Sequence, residues 1–386
     1  MTDKSEIKYG LAGVLADETA VSKVMQETNS LTYRGYAVQD LCAHCSFEEV
    51  AYLLLHGDLP NAAQLQIFEQ AERSQRALSE DVLQVIRLFN RNAHPMDTIR
   101  TVVSFLGVQD DTAHDLDPEV EMGKAMRLLA QIPTGVAADF RLRRGLAPIA
   151  PNAELTFAEN FFHMCFGEVP DAAVVKCFDI SLILYAEHSF NASTFAARVV
   201  TSTTSDMHSA ITGAIGALKG PLHGGANEAV MHMMLEIDSM TGGNPDLPAR
   251  SQQWMLDALR DKRKIMGFGH RVYRNGDSRV PTMRDAFFKM AGIKGGEKWI
   301  QIYEALEATM VEQKGIYPNL DFPTGPAYYL MGFDIPIFTP IFVMSRITGW
   351  AAHVLEQRAN NRLIRPLSAY NGVDQRSVVA IGERFA

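Results

Sequence analysis

Helix-start signals recur along this chain, whereas runs that alternate apolar and polar residues are scarce. Ser46 and Glu49 have the spacing of a capping box ahead of an apolar run, and Gly57 follows as a stop signal. Thr156 and Glu159 repeat the capping-box spacing ahead of another apolar run. The sequence therefore predicts a mostly α-helical fold.

Apolar periodicity predicts further helices through most of the chain. Pro95 suits the first turn of a helix over 96–106, because proline there has no backbone N–H that needs a partner. The other predicted helices cover 61–77, 79–91, 119–132, 171–187, 193–203, 206–219, 225–239, 250–263, 297–314 and 339–359. The stretches 109–119 and 240–249 are interpreted as surface loops.

Length and composition limit the class of protein. With 386 residues, 47% of them hydrophobic, the chain can form one large domain and a smaller one. A net charge of −9 argues against a nucleic-acid partner and an anionic membrane surface. The polar N-terminus has no signal-peptide pattern, and four cysteines fit a reducing compartment, so we expect a cytoplasmic protein with no membrane contact.

The first of four segments rich in His, Arg, Asp and Gly covers 220–228 and is a glycine-rich turn leading into a helix. A histidine near a helix N-terminus is disfavoured as a cation, so His223 can stay neutral and donate a hydrogen bond to a developing oxyanion. The alternative is a histidine that only caps a tight turn.

The second segment, 267–279, contains His270 and three arginines, Arg271, Arg274 and Arg279. These four residues fall within a stretch of ten, although the protein as a whole is acidic. Arginine binds carboxylate or phosphate through a planar fork of donors, so the segment predicts an anion site. The alternative is a solvated basic loop.

The third segment places Asp321 among apolar residues and prolines, where burial would raise its pKa and make it a better general base. A backbone cap in a proline-rich turn is the alternative. The fourth group comprises His188, Arg346 within an apolar helix, and Arg365. A charge such as that of Arg346 must be paired, reach the surface or meet a ligand.

Taken in order, these segments resemble the citrate synthase family from 31–36 to 364–366. The signatures are Gly-Pro-x-His-Gly-Gly-Ala-Asn, His-Arg-Val-Tyr-Arg-x-Gly-Asp-x-Arg and Pro-Asn-Leu-Asp. The resemblance implies a homodimer whose large helical domain, 1–224 and 335–386, faces a small domain, 225–334, that closes over the substrates. The chain is most similar to short bacterial members, which include 2-methylcitrate synthases.

The resemblance also implies a role for each residue. Asp321 would remove the α-proton of an acyl-CoA, His223 would stabilise the enol, and His270 would polarise the ketone of oxaloacetate. His188, Arg279, Arg346 and a partner subunit's copy of Arg365 would hold oxaloacetate. The residues expected at the CoA site are Lys264, Ile265, Met266, Gly267, Phe268 and Arg274. No metal or permanently bound cofactor is expected, and CoA enters only as the co-substrate acyl-CoA.

Three alternatives remain at this stage. Propionyl-CoA is the expected preferred thioester, but acetyl-CoA differs by one methylene, which a pocket distinguishes by only about 1–3 kcal/mol. The Cys42-Ala43-His44-Cys45 spacing could belong to a metal site, although a second ligand pair is missing. A helical scaffold without an active site would explain the helices but not the clustered segments.

Overall fold

The computed structural model describes residues 7–25, 27–241, 246–270, 272–273 and 276–384. Over these residues the chain forms sixteen α-helices and one small antiparallel sheet, so the predicted mostly α fold is confirmed. The first eight helices are α1 Val38–His44, α2 Phe47–His56, α3 Ala62–Ser74, α4 Glu80–Leu88, α5 Pro95–Val108, α6 Pro118–Arg143, α7 Phe157–Phe166 and α8 Ala172–Tyr185. The others are α9 Ala192–Ser202, α10 Met207–Leu218, α11 Ala226–Thr241, α12 Leu247–Arg260, α13 Val280–Lys294, α14 Glu297–Lys314, α15 Asp321–Leu330 and α16 Phe338–Ala359.

The predicted helix-start signals are confirmed. Ser46 and Glu49 bond reciprocally at the start of α2, and Thr156 and Glu159 do the same at the start of α7. Gly57 ends α2 in the left-handed conformation, with a φ of 97°. Local capping chemistry thus determines where these helices begin and end.

The sheet comprises β1 Ser22–Met25, β2 Ser30–Tyr33 and β3 Tyr36–Ala37 in that order. Arg34 and Gly35 both have positive φ, as a two-residue hairpin turn between β2 and β3 requires. The hydroxyl of buried Tyr33 lies 3.0 Å from the carbonyl oxygens of Ile183 and Glu187. This contact attaches the sheet to the end of α8, ahead of His188.

Helix α16 runs through the core and packs against α6, α8, α9 and α10. The segment Ile335–Ala359 is long and apolar enough to cross a membrane by length and composition, yet 94% of its apolar window is buried inside the protein. Burial of that extent is typical of the central helix of a folded core, and it carries Arg346 into the interior.

Two local predictions are wrong. The helix predicted over 119–132 stops short of Pro133, whereas α6 continues through that proline to Arg143. Packing outweighs the lost backbone bond, since Pro133 is buried and the Thr134 hydroxyl donates to the Arg76 carbonyl at 2.7 Å. The turn interpretation of Asp321 is also wrong, because Asp321 is the first residue of α15 and Pro326 lies within that helix.

Candidate active site

A cavity of about 1150 Å³ brings together most of the side chains selected from the sequence. Its walls include His188, His223, His270, Arg279, Asp321 and Arg346. They come from five separate parts of the chain, and the fold places them around one space. The alternative in which each has an unrelated structural role does not account for this convergence.

His223 lies in the turn between α10 and α11 and contacts the N-terminus of α9. Its Nε2 lies 2.8 Å from the Ser193 hydroxyl and 3.3 Å from the Ser193 backbone nitrogen. The Ser193 N–H can only donate to Nε2, whereas Asn191 Oδ1, which lies 3.2 Å from the same nitrogen, can only accept, so these contacts are compatible with either neutral tautomer. Burial, together with the positive charge of Arg346, lowers the pKa of His223 to about 4. His223 is therefore a neutral donor.

The backbone contacts of His270 fix its tautomer. Its Nδ1 accepts from the backbone N–H groups of Val272 and Tyr273 at 3.1 and 3.3 Å, so Nε2 carries the proton. Burial and the charge of Arg279 lower the pKa of His270 to about 4, although Asp277 opposes this shift. The ring lies 5.0 Å, centroid to centroid, from that of His188. His270 can thus donate from Nε2 without carrying a charge.

Asp321 has the properties of a base. Burial raises the pKa of its carboxyl to about 6, and a hydrogen bond from Tyr185 and the charge of Arg279 oppose the shift. The Tyr185 hydroxyl donates to Oδ1 at 2.6 Å, and the Tyr185 ring packs on Phe342 with centroids 4.1 Å apart. A carboxylate with a pKa near neutrality accepts protons more readily than an exposed one.

A short backbone pairing links the segment before His270 to the segment before Asp321. Gly269 N–H donates to the Tyr317 carbonyl at 2.8 Å, and Asn319 N–H donates to the Gly267 carbonyl at 2.9 Å. Gly267 has a φ of 84°, and a Cβ there would lie 2.5 Å from the side chain of Val230, so glycine is required. The pairing fixes the two catalytic candidates relative to each other.

Arg279 is buried and doubly bonded to Asp277, with Nε 2.9 Å from Oδ1 and one terminal nitrogen 2.7 Å from Oδ2. Burial alone would lower the pKa of Arg279, but the Asp277 carboxylate raises it above its usual value. Its remaining terminal nitrogen lies 3.4 Å from the Leu184 carbonyl. Asp277 therefore orients Arg279 and offsets its charge.

Arg346 and His188 have polar atoms without a partner. Arg346 Nε donates to the Tyr185 carbonyl at 2.6 Å, while one terminal nitrogen is buried with no hydrogen bond among the described residues. Burial lowers the pKa of Arg346 to about 10, and Glu187 opposes that shift. The buried Nε2 of His188 also has no partner in the described part of the chain. Unpaired buried donors of this kind point to an anionic ligand.

The remaining predicted residues are placed differently. Arg365 is exposed on the segment after α16 and is not among the cavity walls. Of the predicted CoA residues, Met266 lines the cavity, Lys264 is exposed, and the Phe268 ring packs on Phe322 with centroids 4.4 Å apart. Arg271 and Arg274 lie outside the described residues. The CoA contacts stay predictions.

Sequence reasoning missed several residues that orient the predicted ones. Tyr185 holds Asp321, Asp277 holds Arg279, and Ser193 holds His223. Each lies inside or next to a segment singled out from the sequence, so position was available as a signal. Which segments pair with each other depends on tertiary structure, so the sequence offers no signal for these contacts.

The Cys42 and Cys45 spacing does not extend to a cluster in the part of the chain that the structure describes. No group of three or more potential ligand side chains that could hold a metal ion occurs there. Cys42 is buried at the end of α1, where burial raises the pKa of its thiol. It packs as a core residue.

One cavity thus contains a carboxylate with a raised pKa, two neutral histidines and a buried arginine that has a terminal nitrogen without a hydrogen bond in the described part of the chain. This combination is typical of an enzyme that performs acid–base chemistry on a small anion. A family model described as citrate synthase, C-terminal domain, matches residues 10–367. The chain therefore belongs to the citrate synthase family and is an acyltransferase.

Two curated relatives carry different names at similar identity. The 2-methylcitrate synthase of Mycobacterium tuberculosis is 59% identical over 97% of this chain and 93% of its own length. The citrate synthase of Mycolicibacterium smegmatis is 57% identical over 98% of both chains.

Solved structures confirm the fold. Citrate synthase from Pyrobaculum aerophilum has a TM-score of 0.90 and 37% identity, covering 98% of this chain and 95% of that one. The Thermoplasma acidophilum enzyme, solved with carboxymethyl coenzyme A and oxaloacetate, has a TM-score of 0.91 and 32% identity, covering 98% of this chain and all of that one.

Proposed function

We propose that this protein condenses a short acyl-CoA with oxaloacetate and water, releasing CoA, and that it prefers propionyl-CoA and forms 2-methylcitrate. The observation that carries the reaction type is the convergence of Asp321, His223 and His270 on one cavity in complementary protonation states. Acetyl-CoA, giving citrate, is the second candidate, because a relative named citrate synthase is 57% identical.

Each of the three groups has a separate task. Asp321 takes the α-proton of the thioester while its other carboxylate oxygen stays bonded to Tyr185. His223 donates a ring N–H to the thioester oxygen as that oxygen gains charge, which makes removal of a weakly acidic proton feasible. The enol carbon then attacks the ketone carbon of oxaloacetate.

The ketone oxygen must gain a proton as the new bond forms. His270 donates from Nε2 to that oxygen, and its Nδ1 is held by two backbone N–H groups. Water then hydrolyses the thioester of the condensed product, which releases the CoA thiol. The proposed steps involve no change of oxidation state, so they call for no redox cofactor.

Oxaloacetate binds between Arg346 and Arg279, with His188 beside its keto acid end. The unpartnered nitrogens of Arg346 and His188 support this placement, because a carboxylate would satisfy both. The domain division at 224/225 and 334/335 remains part of this proposal. Arg346 on α16 and Arg279 would then lie on opposite sides of the cleft.

We also propose that the active enzyme is a homodimer in which the partner's tail supplies Arg365. The tail after Asn360 exposes large apolar side chains that no part of the described chain covers. These are Leu363, Leu367, Tyr370, Val373, Val378 and Ile381, each at least 56% exposed. Such a surface is typical of a segment that packs on another subunit.

The thioester preference is tested by steady-state CoA release with oxaloacetate and acetyl-, propionyl- or butyryl-CoA. We expect kcat/KM for propionyl-CoA to exceed that for acetyl-CoA by about tenfold, which is the size one methylene allows. A preference for acetyl-CoA would support the second candidate instead.

Subunit complementation tests the role of Arg365. Asp321→Asn and Arg365→Ala are each expected to be nearly inactive as pure dimers. Coexpressed chains should recover roughly a quarter of wild-type activity, because half of the dimers are mixed and each holds one intact site. No recovery on mixing would show that Arg365 acts in its own chain or elsewhere.

A further inference from the structure

The turn that carries His223 has little rigidity of its own. It joins α10 to α11 and contains Gly220, Gly224 and Gly225. Within the turn, His223 N–H donates to the Gly220 carbonyl, and Gly224 N–H donates to the Leu218 carbonyl, both at 2.9 Å. Because glycine permits many backbone conformations, contacts outside the turn determine where the His223 ring lies: Ser193 contacts the ring itself, and two further contacts hold the backbone on either side of the turn.

The first such contact lies immediately before the turn. Lys219 Nζ lies 2.7 Å from both carboxylate oxygens of Asp97. Asp97 belongs to the first turn of α5, so this ion pair fixes the end of α10 to α5.

The second contact lies just after the turn. His94, which precedes α5, accepts from the Met96 backbone N–H through Nδ1 at 3.2 Å, so neutral His94 carries its proton on Nε2. That Nε2 lies 3.1 Å from Oε2 of Glu228, to which it donates. The Thr339 hydroxyl of α16 donates to the other Glu228 oxygen.

Both contacts come from the start of α5. His94 is the N-cap residue of this helix and Asp97 lies in its first turn. We propose that His94 and Asp97 form a two-point clamp that positions His223 for donation to the thioester oxygen. The proposal rests on the role assigned to His223 above, and it names positioning residues rather than catalytic ones.

The clamp contributes more to placement than to folding. Lys219 and Asp97 side chains are 38% and 29% exposed, and His94 is 34% exposed. An ion pair as accessible to solvent as Lys219–Asp97 adds little to stability, and a hydrogen bond from a partly exposed neutral histidine adds only about 1 kcal/mol. Their loss should therefore leave the protein folded but allow the His223 turn to move.

Two variants release the clamp separately. Lys219→Met keeps the side-chain length without the charge. His94→Asn supplies an amide oxygen that can cap α5 in place of Nδ1, but the shorter side chain does not reach Glu228. We expect each to lower kcat about tenfold, and the double variant by more, with little change in KM for oxaloacetate. Lys219→Arg should restore most of the activity. Lys298→Met is the matched control, since Lys298 also bonds an aspartate between helices, Asp238 at 2.6 Å.

An isotope effect separates misplacement from loss of folded enzyme. With acyl-CoA deuterated at the α-carbon, the isotope effect on kcat should rise in both variants, because a displaced His223 makes proton removal slower relative to later steps. A smaller amount of active protein would lower kcat and leave the isotope effect unchanged. An unchanged isotope effect with a lower kcat would overturn the proposal.

Amide hydrogen exchange tests the clamp without relying on activity. Exchange at residues 219–226 should be several-fold faster in Lys219→Met and His94→Asn than in wild type and Lys298→Met. Unchanged exchange would refute the clamp. A wild-type protein that releases no CoA would instead refute the proposed function, and the exchange measurement would still decide the inference.

Discussion

Asp321 combines an apolar location with a directed hydrogen bond. Burial raises its pKa to about 6, while the Tyr185 hydroxyl stabilises the charged form and limits the increase. His223 and His270 have pKa values lowered to about 4, so neither changes charge near neutral pH. Asp321 alone among these three residues should determine the acid side of the pH profile.

The pH dependence of kcat/KM should reflect this arrangement. The proposed mechanism uses Asp321 as the carboxylate, so kcat/KM should fall as the pH drops below about 6. Tyr185→Phe removes a hydrogen bond to the charged form, which raises the pKa of Asp321 and shifts the acid limb to higher pH. Phe342→Leu serves as the control because it changes the packing on Tyr185 but keeps the hydroxyl. An acid limb at the same pH in Tyr185→Phe would contradict the assignment.

Glu48 gives a second, independent dependence on pH, in stability rather than activity. Burial and the nearby Asp179 raise the pKa of Glu48 from 4.5 to about 7, and Phe157 N–H donates to it at 2.8 Å. The folded state therefore binds the proton more tightly than the unfolded state. Its stabilising effect is complete below pH 4.5 and is lost as the pH rises through 7, by about 3 kcal/mol at most.

Urea unfolding between pH 5 and pH 8 measures this effect. Wild type should lose stability over that range relative to Glu48→Gln, because the amide cannot ionise but its oxygen can still accept from Phe157. Glu154→Gln, an exposed site, should follow wild type. Parallel curves for wild type and Glu48→Gln would exclude a raised pKa at this residue.

At the scale of the element, close approach of α16 to the end of α8 determines where Arg346 lies. A Cβ at Gly349 would come within 2.3 Å of the Glu187 carboxylate and 2.4 Å of the Ala186 carbonyl. The buried carboxylate of Glu187 is also held by His353 at 2.9 Å, so it cannot simply move aside. Only glycine allows the two helices this separation.

Gly349→Ala should therefore destabilise the protein by about 2–3 kcal/mol and raise KM for oxaloacetate, because α16 must move together with Arg346. Gly292→Ala is the control within helix α13, where a Cβ meets nothing within 4 Å. It should stabilise the protein by about 0.5–1 kcal/mol. Equal stability of the two variants in thermal unfolding would contradict the packing argument.

Local sequence signals predicted the helices well, but they could not predict tertiary contacts. The capping boxes at Ser46 and Thr156 were identifiable because their partners lie three residues away. The strands β1 to β3 are two to four residues long, too short for an alternating pattern. Helix α15 was missed because its prolines indicate a turn, and burial of Phe322 and Pro323 overrides that local preference.

The residues of the candidate site could also be predicted from local sequence. His223, His270, Asp321, His188, Arg279 and Arg346 lie in unusual local sequences, and the structure places all six around one cavity. Arg279 and His270 bond within their own segment, but Asp321 and His223 have partners in distant segments, Tyr185 and Ser193. The sequence could not show which ring nitrogen of each histidine carries the proton.

At the scale of the whole molecule, oxaloacetate should stabilise the folded protein by contacting both sides of the cleft. At a hundred times its Kd, the ligand would add about 3 kcal/mol to the free energy of unfolding. Arg346→Met should abolish the resulting rise in Tm, since it removes the guanidinium whose buried terminal nitrogen has no hydrogen bond within the described part of the chain. Arg144→Met, which breaks an exposed pair with Asp334, should retain it. A ligand-induced rise in Tm that survives Arg346→Met would place the anion elsewhere.

The backbone pairing of 267–269 with 317–319 has a consequence for the order of events in each turnover. Asp321 and His270 travel as one piece whenever the proposed small domain swings, so their mutual alignment survives opening. His223 lies at the proposed domain boundary, so closure would bring it into line with the other two residues. If the proposed function is correct, an open enzyme would have its base in place without the donor that stabilises the enol, which would delay proton removal until the second substrate is enclosed.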